Sequence, residues 1–186
     1  AILGMKLPAN ILDASLTNET GHWEPSRLTE LHDQMFDEIG SAWNDWRYFS
    51  LNKLKVERIY FYKQQISRIL QEEYDVSKFF VLKEPRITRF ISFYEEILNS
   101  LNVKVRYVLP IRNPLSVAAS LEKRNQMGLE SSLLLWLRYQ LEAERATRGR
   151  NRVFIVYEDL VRDWRTVLYR LCDELSITSL YPREEA

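Results

Sequence analysis

Four short segments of this chain combine residue types that can bind or move charge. The run Ile111-Arg112-Asn113-Pro114-Leu115-Ser116-Val117-Ala118-Ala119-Ser120-Leu121-Glu122-Lys123-Arg124 sets an arginine just ahead of a proline that suits a helix start. Within that helix, Ser120 and Arg124 lie four residues apart on one face. Arg112, Ser120 and Arg124 can therefore converge on one anion, because guanidinium groups grip phosphate bidentately and a helix start adds N–H dipoles. An ordinary strand-to-helix turn with solvated arginines accounts for the run equally well. In Leu82-Lys83-Glu84-Pro85-Arg86, Lys83 could stabilise charge developing on a transferred group. A snorkelling lysine paired with Glu84 is the plainer account. In Gly21-His22-Trp23-Glu24-Pro25, Glu24 or His22 could act as a general base, with Trp23 raising a carboxyl pKa by desolvation. The plainer account has Glu24 favouring the start of the adjoining helix. In Tyr157-Glu158-Asp159-Leu160, Tyr157 could contact a bound nucleotide while Glu158 and Asp159 cap the segment after them.

These residues need elements to position them. Residues 1–22 read as mostly irregular, with Pro8, Asn10, Asp13, Asn18 and Gly21 as turn punctuation. Pro25 suits a first helical position; Leu28, Leu31, Met35 and Ile39 come after it at helical spacing, and Gly40 is a natural stop. Further helices are expected over 56–73, 87–101, 114–126 and 129–147, and a last one from Trp164 to Leu175. The 129–147 helix carries its stripe through Leu133, Trp136, Leu137, Gln140, Leu141 and Glu144. Phe79–Leu82, Val103–Ile111 and Val153–Val156 read as buried strands. Strands alternating with helices predict an α/β fold with a parallel sheet, whose ligands bind beyond the strands' carboxyl ends. Lys83, Arg112 and Tyr157 all fall there. Three strands are few for so many helices, so a further strand is expected before residue 1. Trp43 and Trp46 are expected to pack, and Cys172 to lie in the core on the stripe of the last helix.

Composition narrows the partners. The 186 residues are one domain's worth, 46% are hydrophobic, and 26 basic side chains balance 26 acidic ones. A neutral chain is no nucleic-acid binder held by a general basic field. One cysteine excludes an intramolecular disulfide framework or a cysteine metal cluster, and two histidines exclude a histidine-rich metal site. No apolar run approaches the length of a membrane span. No basic lead-in followed by an apolar run and a cleavage site is seen, so a cytoplasmic location is expected. No glycine-rich phosphate loop is present among the five glycines.

Taken in order, GHWEP (21–25), GSAWNDWR (40–47), LKEPR (82–86), IRNPLSVAASLEKR (111–124), LWLRYQLEAER (135–145) and VYEDLVRDW (156–164) resemble a bacterial family of sulfotransferases. These enzymes use 3′-phosphoadenosine 5′-phosphosulfate (PAPS). The resemblance covers nearly the whole chain, and RNPLSVAAS is its most specific element. It implies a P-loop-NTPase-like three-layer sandwich with a parallel sheet, in a single domain over 1–186. It also implies that the first strand and the loop of Arg-Ser-Gly-Thr type lie outside this chain, with Ile2–Pro8 ending the first helix. Arg112 and Ser120 would bind the 3′-phosphate, Arg124 would match a further basic residue of related enzymes, and Tyr157 would lie near the nucleotide. Lys83 would contact the transferring sulfuryl group. Glu24, with His22 second, would take the proton of a hydroxyl acceptor such as a small molecule or glycan. PAPS would be the co-substrate and PAP the product, with no metal required. The alternatives are a non-catalytic fragment of such a domain that binds a partner or forms a homo-oligomer through an exposed sheet edge, and a P-loop kinase-like nucleotide enzyme.

Overall fold

The computed structural model describes residues 5–13, 21–74, 76 and 79–178. The fold is α/β and mostly helical, with a two-stranded parallel sheet among the described residues. The chain divides into two compact units: Lys6–Lys104, and Ala1–Met5 with Val105–Ala186.

The first unit is built on three helices. α1 (Ser26–Glu38) buries Leu28, Leu31, His32, Met35 and Phe36, a stripe at spacings of three and four. Pro25 turns out to be its cap rather than its first residue. The helix stops where Gly40 takes the left-handed φ of 71°, a conformation that costs a residue without Cβ little. α2 (Val56–Tyr74) buries Tyr62, Ile66, Ile69, Leu70, Glu73 and Tyr74. A 3₁₀ turn over Pro85–Phe90 leads into α3 (Ile91–Ser100), so the continuous helix expected over 87–101 has a tighter first stretch. α2 packs against both α1 and α3. The largest wholly buried side chains here include Phe36, Tyr62, Ile66, Leu70, Tyr74 and Phe90. Each such apolar side chain contributes about 1.5–3 kcal/mol on leaving water.

Two sequence expectations fail in this unit. Among the described residues the run Phe79–Leu82 is not a strand: it makes one isolated parallel bridge, Phe80 to Lys6. Its hydrogen bonds run from Lys6 N–H to the Phe79 carbonyl (3.1 Å) and from Val81 N–H to the Lys6 carbonyl (3.2 Å). Residues 5–8, expected at the end of a helix, are instead extended or irregular, and Lys6 is the residue paired with Phe80. Residues 2–4 lie outside the described ones. A second bridge, antiparallel, joins Ile11 to Pro25.

The second unit is a β-helix-helix-β crossover. β1 (Tyr107–Ile111) and β2 (Arg152–Val156) pair in parallel, in register from Tyr107↔Arg152 to Ile111↔Val156. A parallel pair needs a long return connection, supplied here by α4 (Pro114–Asn125) and α5 (Leu129–Thr147), which pack on each other. α6 (Tyr157–Arg162), a helix the sequence pattern did not reveal, comes directly after β2, and α7 (Trp164–Glu174) lies against β2. Val153, Ile155, Val167, Leu171, Cys172 and Leu175 form one core cluster, so Cys172 is a core residue as expected. On α5 the buried side chains are Ser132, Leu135 and Thr147, while Leu137 and Leu141 of the expected stripe are exposed. Leucines at 133, 134, 135, 137 and 141 offer more than one apolar face, and periodicity alone does not choose among them.

Candidate active site

In the first unit, Glu24 and Lys83 come together across 59 residues of sequence. Lys83 Nζ donates to Glu24 Oε1 at 2.6 Å and to the His22 carbonyl at 2.7 Å. Glu24 is largely buried, whereas the Lys83 side chain is 52% exposed and so can exchange partners. His22 therefore meets this pair through its backbone carbonyl. Trp23, between the two candidate bases, is 52% exposed. The Leu12 N–H donates to the Glu24 carbonyl (2.8 Å), which ties the extended 10–12 segment alongside the GHWEP turn. Lys83 thus pairs with Glu24, not with its neighbour Glu84 as the plainer sequence account had it.

Glu84 points elsewhere. Its Oε2 lies 2.6 Å from His32 Nδ1, with both side chains fully buried. His32 Nε2 is 2.7 Å from the Tyr94 hydroxyl, and its ring stacks on Phe90. Glu84 Oε1 accepts from Arg86 Nη1 (2.8 Å) and from the Arg86 backbone N–H (3.2 Å). Arg86 Nε also donates to Asp33 Oδ1 at 2.9 Å, and its Nη1 lies 3.9 Å from Glu24 Oε2. Burial alone would push the Glu84 carboxyl up, but the hydrogen bonds and charges of His32 and Arg86 outweigh it and hold the group below its ordinary range. Burial, then the charges of Glu84 and Tyr74, push the Tyr94 hydroxyl well up. His32, Asp33 and Tyr94 join this cluster without a motif of their own in the sequence. The one available signal is that Glu84 and Arg86 belong to the same short motif as Lys83, Leu82–Arg86.

In the second unit, the Arg112 guanidinium lies over the Tyr157 ring at 4.5 Å from its centroid, a cation–π contact that joins two of the expected residues. The Arg112 carbonyl accepts from Trp136 Nε1 at 3.2 Å. Tyr157 begins α6, so the strand-end position expected for it is also a helix start. Asn113 caps α4: its Oδ1 accepts from the N–H groups of Leu115 (2.9 Å) and Ser116 (3.3 Å). Its own N–H donates to Glu158 Oε1 at 3.2 Å, which links the ends of both strands. The amides expected to serve an anion are thus taken by the cap, leaving Arg112, Ser120 and Arg124 as the anion-directed groups of this segment. Ser120 and Arg124 are exposed, four apart on α4, and Arg124 Nε donates to Asn125 Oδ1 at 2.8 Å. Arg112 is thus brought to Tyr157.

Trp43 is half-buried as expected of packing, but Trp46 is exposed. The loop carrying them is held by Arg89, which donates to the carbonyls of Asp45 (2.8 Å) and Arg47 (2.9 Å). Among the described residues, no group of three or more His, Cys, Asp or Glu side chains is arranged to hold a metal ion. Among them, too, no helix is long and apolar enough to cross a membrane. No protein-family model, no curated protein and no solved structure matches the chain.

Proposed function

We propose that this protein is a sulfotransferase that moves a sulfuryl group from PAPS to a hydroxyl acceptor, on a framework of the P-loop-NTPase-like sandwich type. The observation that carries the reading is the Lys83–Glu24 contact of 2.6 Å, which brings together the two motif residues that the chemistry needs. The parallel β1/β2 pair with its helical crossover supports the framework. The Arg112–Tyr157 contact supports a nucleotide role for that strand end.

The donor nucleotide supplies the sulfuryl group: its sulfur–oxygen bond to phosphate breaks as the acceptor oxygen bonds to sulfur, and the electron pair leaves with PAP. Glu24 is the better placed base, since its carboxylate faces Lys83 while His22 offers only a carbonyl there. Glu24 takes the acceptor's proton at Oε1 or Oε2. Lys83 leaves Glu24 as that proton arrives, and its ammonium stabilises negative charge on the oxygens that flank sulfur. Positioning and charge stabilisation do most of the work in such a transfer. Arg112, Ser120 and Arg124 are assigned to the 3′-phosphate.

The test is sulfuryl transfer from labelled PAPS to a panel of hydroxyl compounds, with PAP binding measured by calorimetry. Lys83→Ala should lower turnover by about 100-fold while leaving PAP affinity within a few-fold. Arg112→Ala should weaken PAP binding by about tenfold or more. PAP that binds without any transfer would leave a non-catalytic binding module. ATP displacing PAP at equal concentration would point to a kinase-like enzyme instead.

A further inference from the structure

We propose that the buried Glu84–His32 pair is a positioning couple for Glu24 and Lys83, acting through Arg86. The inference rests on the reading of Glu24 and Lys83 as the proton-transfer and charge-stabilising groups. Stability does not explain the pair: taking a carboxylate and an imidazole out of water is costly, and apolar side chains of the same volume serve a core as well or better. Its geometry does have a use. Glu84 is extended (φ −159°, ψ 116°), so successive side chains leave the chain on opposite sides. Glu84 points into the core onto His32, and Lys83 points out to Glu24.

Glu84 then fixes Arg86 at two atoms, closing the 3₁₀ turn through the Arg86 N–H and gripping the guanidinium through Nη1. The same α1 that carries His32 carries Asp33, which holds Arg86 from its other side. Arg86 is left with Nη1 at 3.9 Å from Glu24 Oε2, while Lys83 occupies Oε1. Glu24 is thus flanked by two cations whose positions trace back to one buried carboxylate. The groups facing Glu84 are His32 from α1, Arg86 from its own turn, Tyr94 from α3 and Tyr74 from α2. Glu84 Oε2 and His32 Nδ1 lie 2.6 Å apart, and the Tyr94 hydroxyl holds the ring from Nε2.

The test monitors the Glu24 carboxyl and the Lys83 ammonium by isotope-labelled NMR through a pH titration of the whole protein, with no substrate present. In Glu84→Gln, Arg86 loses its main anchor and turns to Glu24, so the Glu24 midpoint should fall by about one pH unit and the Lys83 ammonium signal should weaken. His32→Asn, which keeps an N–H donor near the Nδ1 position, should stay close to the parent. A folded Glu84→Gln protein whose Glu24 and Lys83 titrate as in the parent overturns the couple. Should Glu84→Gln fail to fold, Glu84→Asp decides, since its shorter side chain keeps the buried carboxylate but draws it back from Arg86: a Glu24 titration identical to the parent's overturns the couple, and a lowered midpoint supports it. In transfer assays, Glu84→Gln should lower kcat with little change in KM. NMR shifts in a protein that transfers no sulfuryl group would sink the sulfotransferase reading and leave the couple standing. Transfer with no shift in Glu84→Gln would do the reverse.

Discussion

Trp23 holds a left-handed backbone conformation, φ 56°, that side chains with a Cβ adopt at a cost of roughly 1–2 kcal/mol. Gly21, at φ 82°, opens the same turn. The conformation persists because the turn is held from both sides, by Lys83 on the His22 carbonyl and by Leu12 on the Glu24 carbonyl. Asparagine tolerates this region better, and half of the indole is already in water, so Trp23→Asn should raise the stability of the fold by about 0.5–1 kcal/mol. A urea midpoint that falls instead would show that indole packing outweighs the strain. Glu84 gives a second residue-scale outcome. Its carboxyl is held below the ordinary value in the folded state, so it stabilises above the ordinary carboxylate range. That contribution is lost as pH falls through the lowered value, and Glu84→Gln should flatten the acid side of the stability profile measured by urea unfolding. Glu24 and Lys83 were readable as candidates because each sits in a short motif of chemically loaded residues. His32 was not: a lone histidine on a helical stripe looks like packing, and its partner lies 52 positions away, so nothing local marks it as an ion-pair partner.

Among the elements, α4 is the most legible and also the most instructive. Its start was marked by Pro114, yet the residue that secures it is Asn113, whose side chain takes two amides of the first turn. Asn113→Ala should cost about 1 kcal/mol, read as a lowered midpoint in thermal or urea unfolding. At the other end, Gln126 closes the helix in a left-handed conformation, φ 54°, so Gln126→Gly should be neutral or stabilising by a few tenths of a kcal/mol. The amphipathic helices α1, α2, α3 and α7 were recoverable because a single face of each is apolar and a 3.6-residue period exposes it. The run at 79–82 has the composition of a strand, but a strand also needs a partner of matching length, and among the described residues only Lys6 pairs with it. The six residues of α6 are too short for periodicity to register.

At the scale of the whole molecule, acidic and basic side chains balance and the isoelectric point is about 7.0. Many of these charges are spent on each other: Arg58 with Glu38, Arg27 with Glu72 and Glu73, Arg148 and Arg152 with Glu144. With little net repulsion between copies near neutral pH, solubility should pass through a minimum there and rise on either side, measurable as light scattering across a pH series at low salt. A maximum near pH 7 would contradict the balance read from composition.

The 2% exposure of Cys172 has a practical consequence. It is the only thiol in the chain, and it sits among Val153, Ile155, Val167, Leu171 and Leu175. An alkylating reagent reaches it only when that core opens, so the labelling rate under excess reagent is a clock for opening of the second unit. The first unit contains no cysteine and is silent in the same experiment. One side chain thus lets the opening of one half of the molecule be timed in solution without engineering a probe.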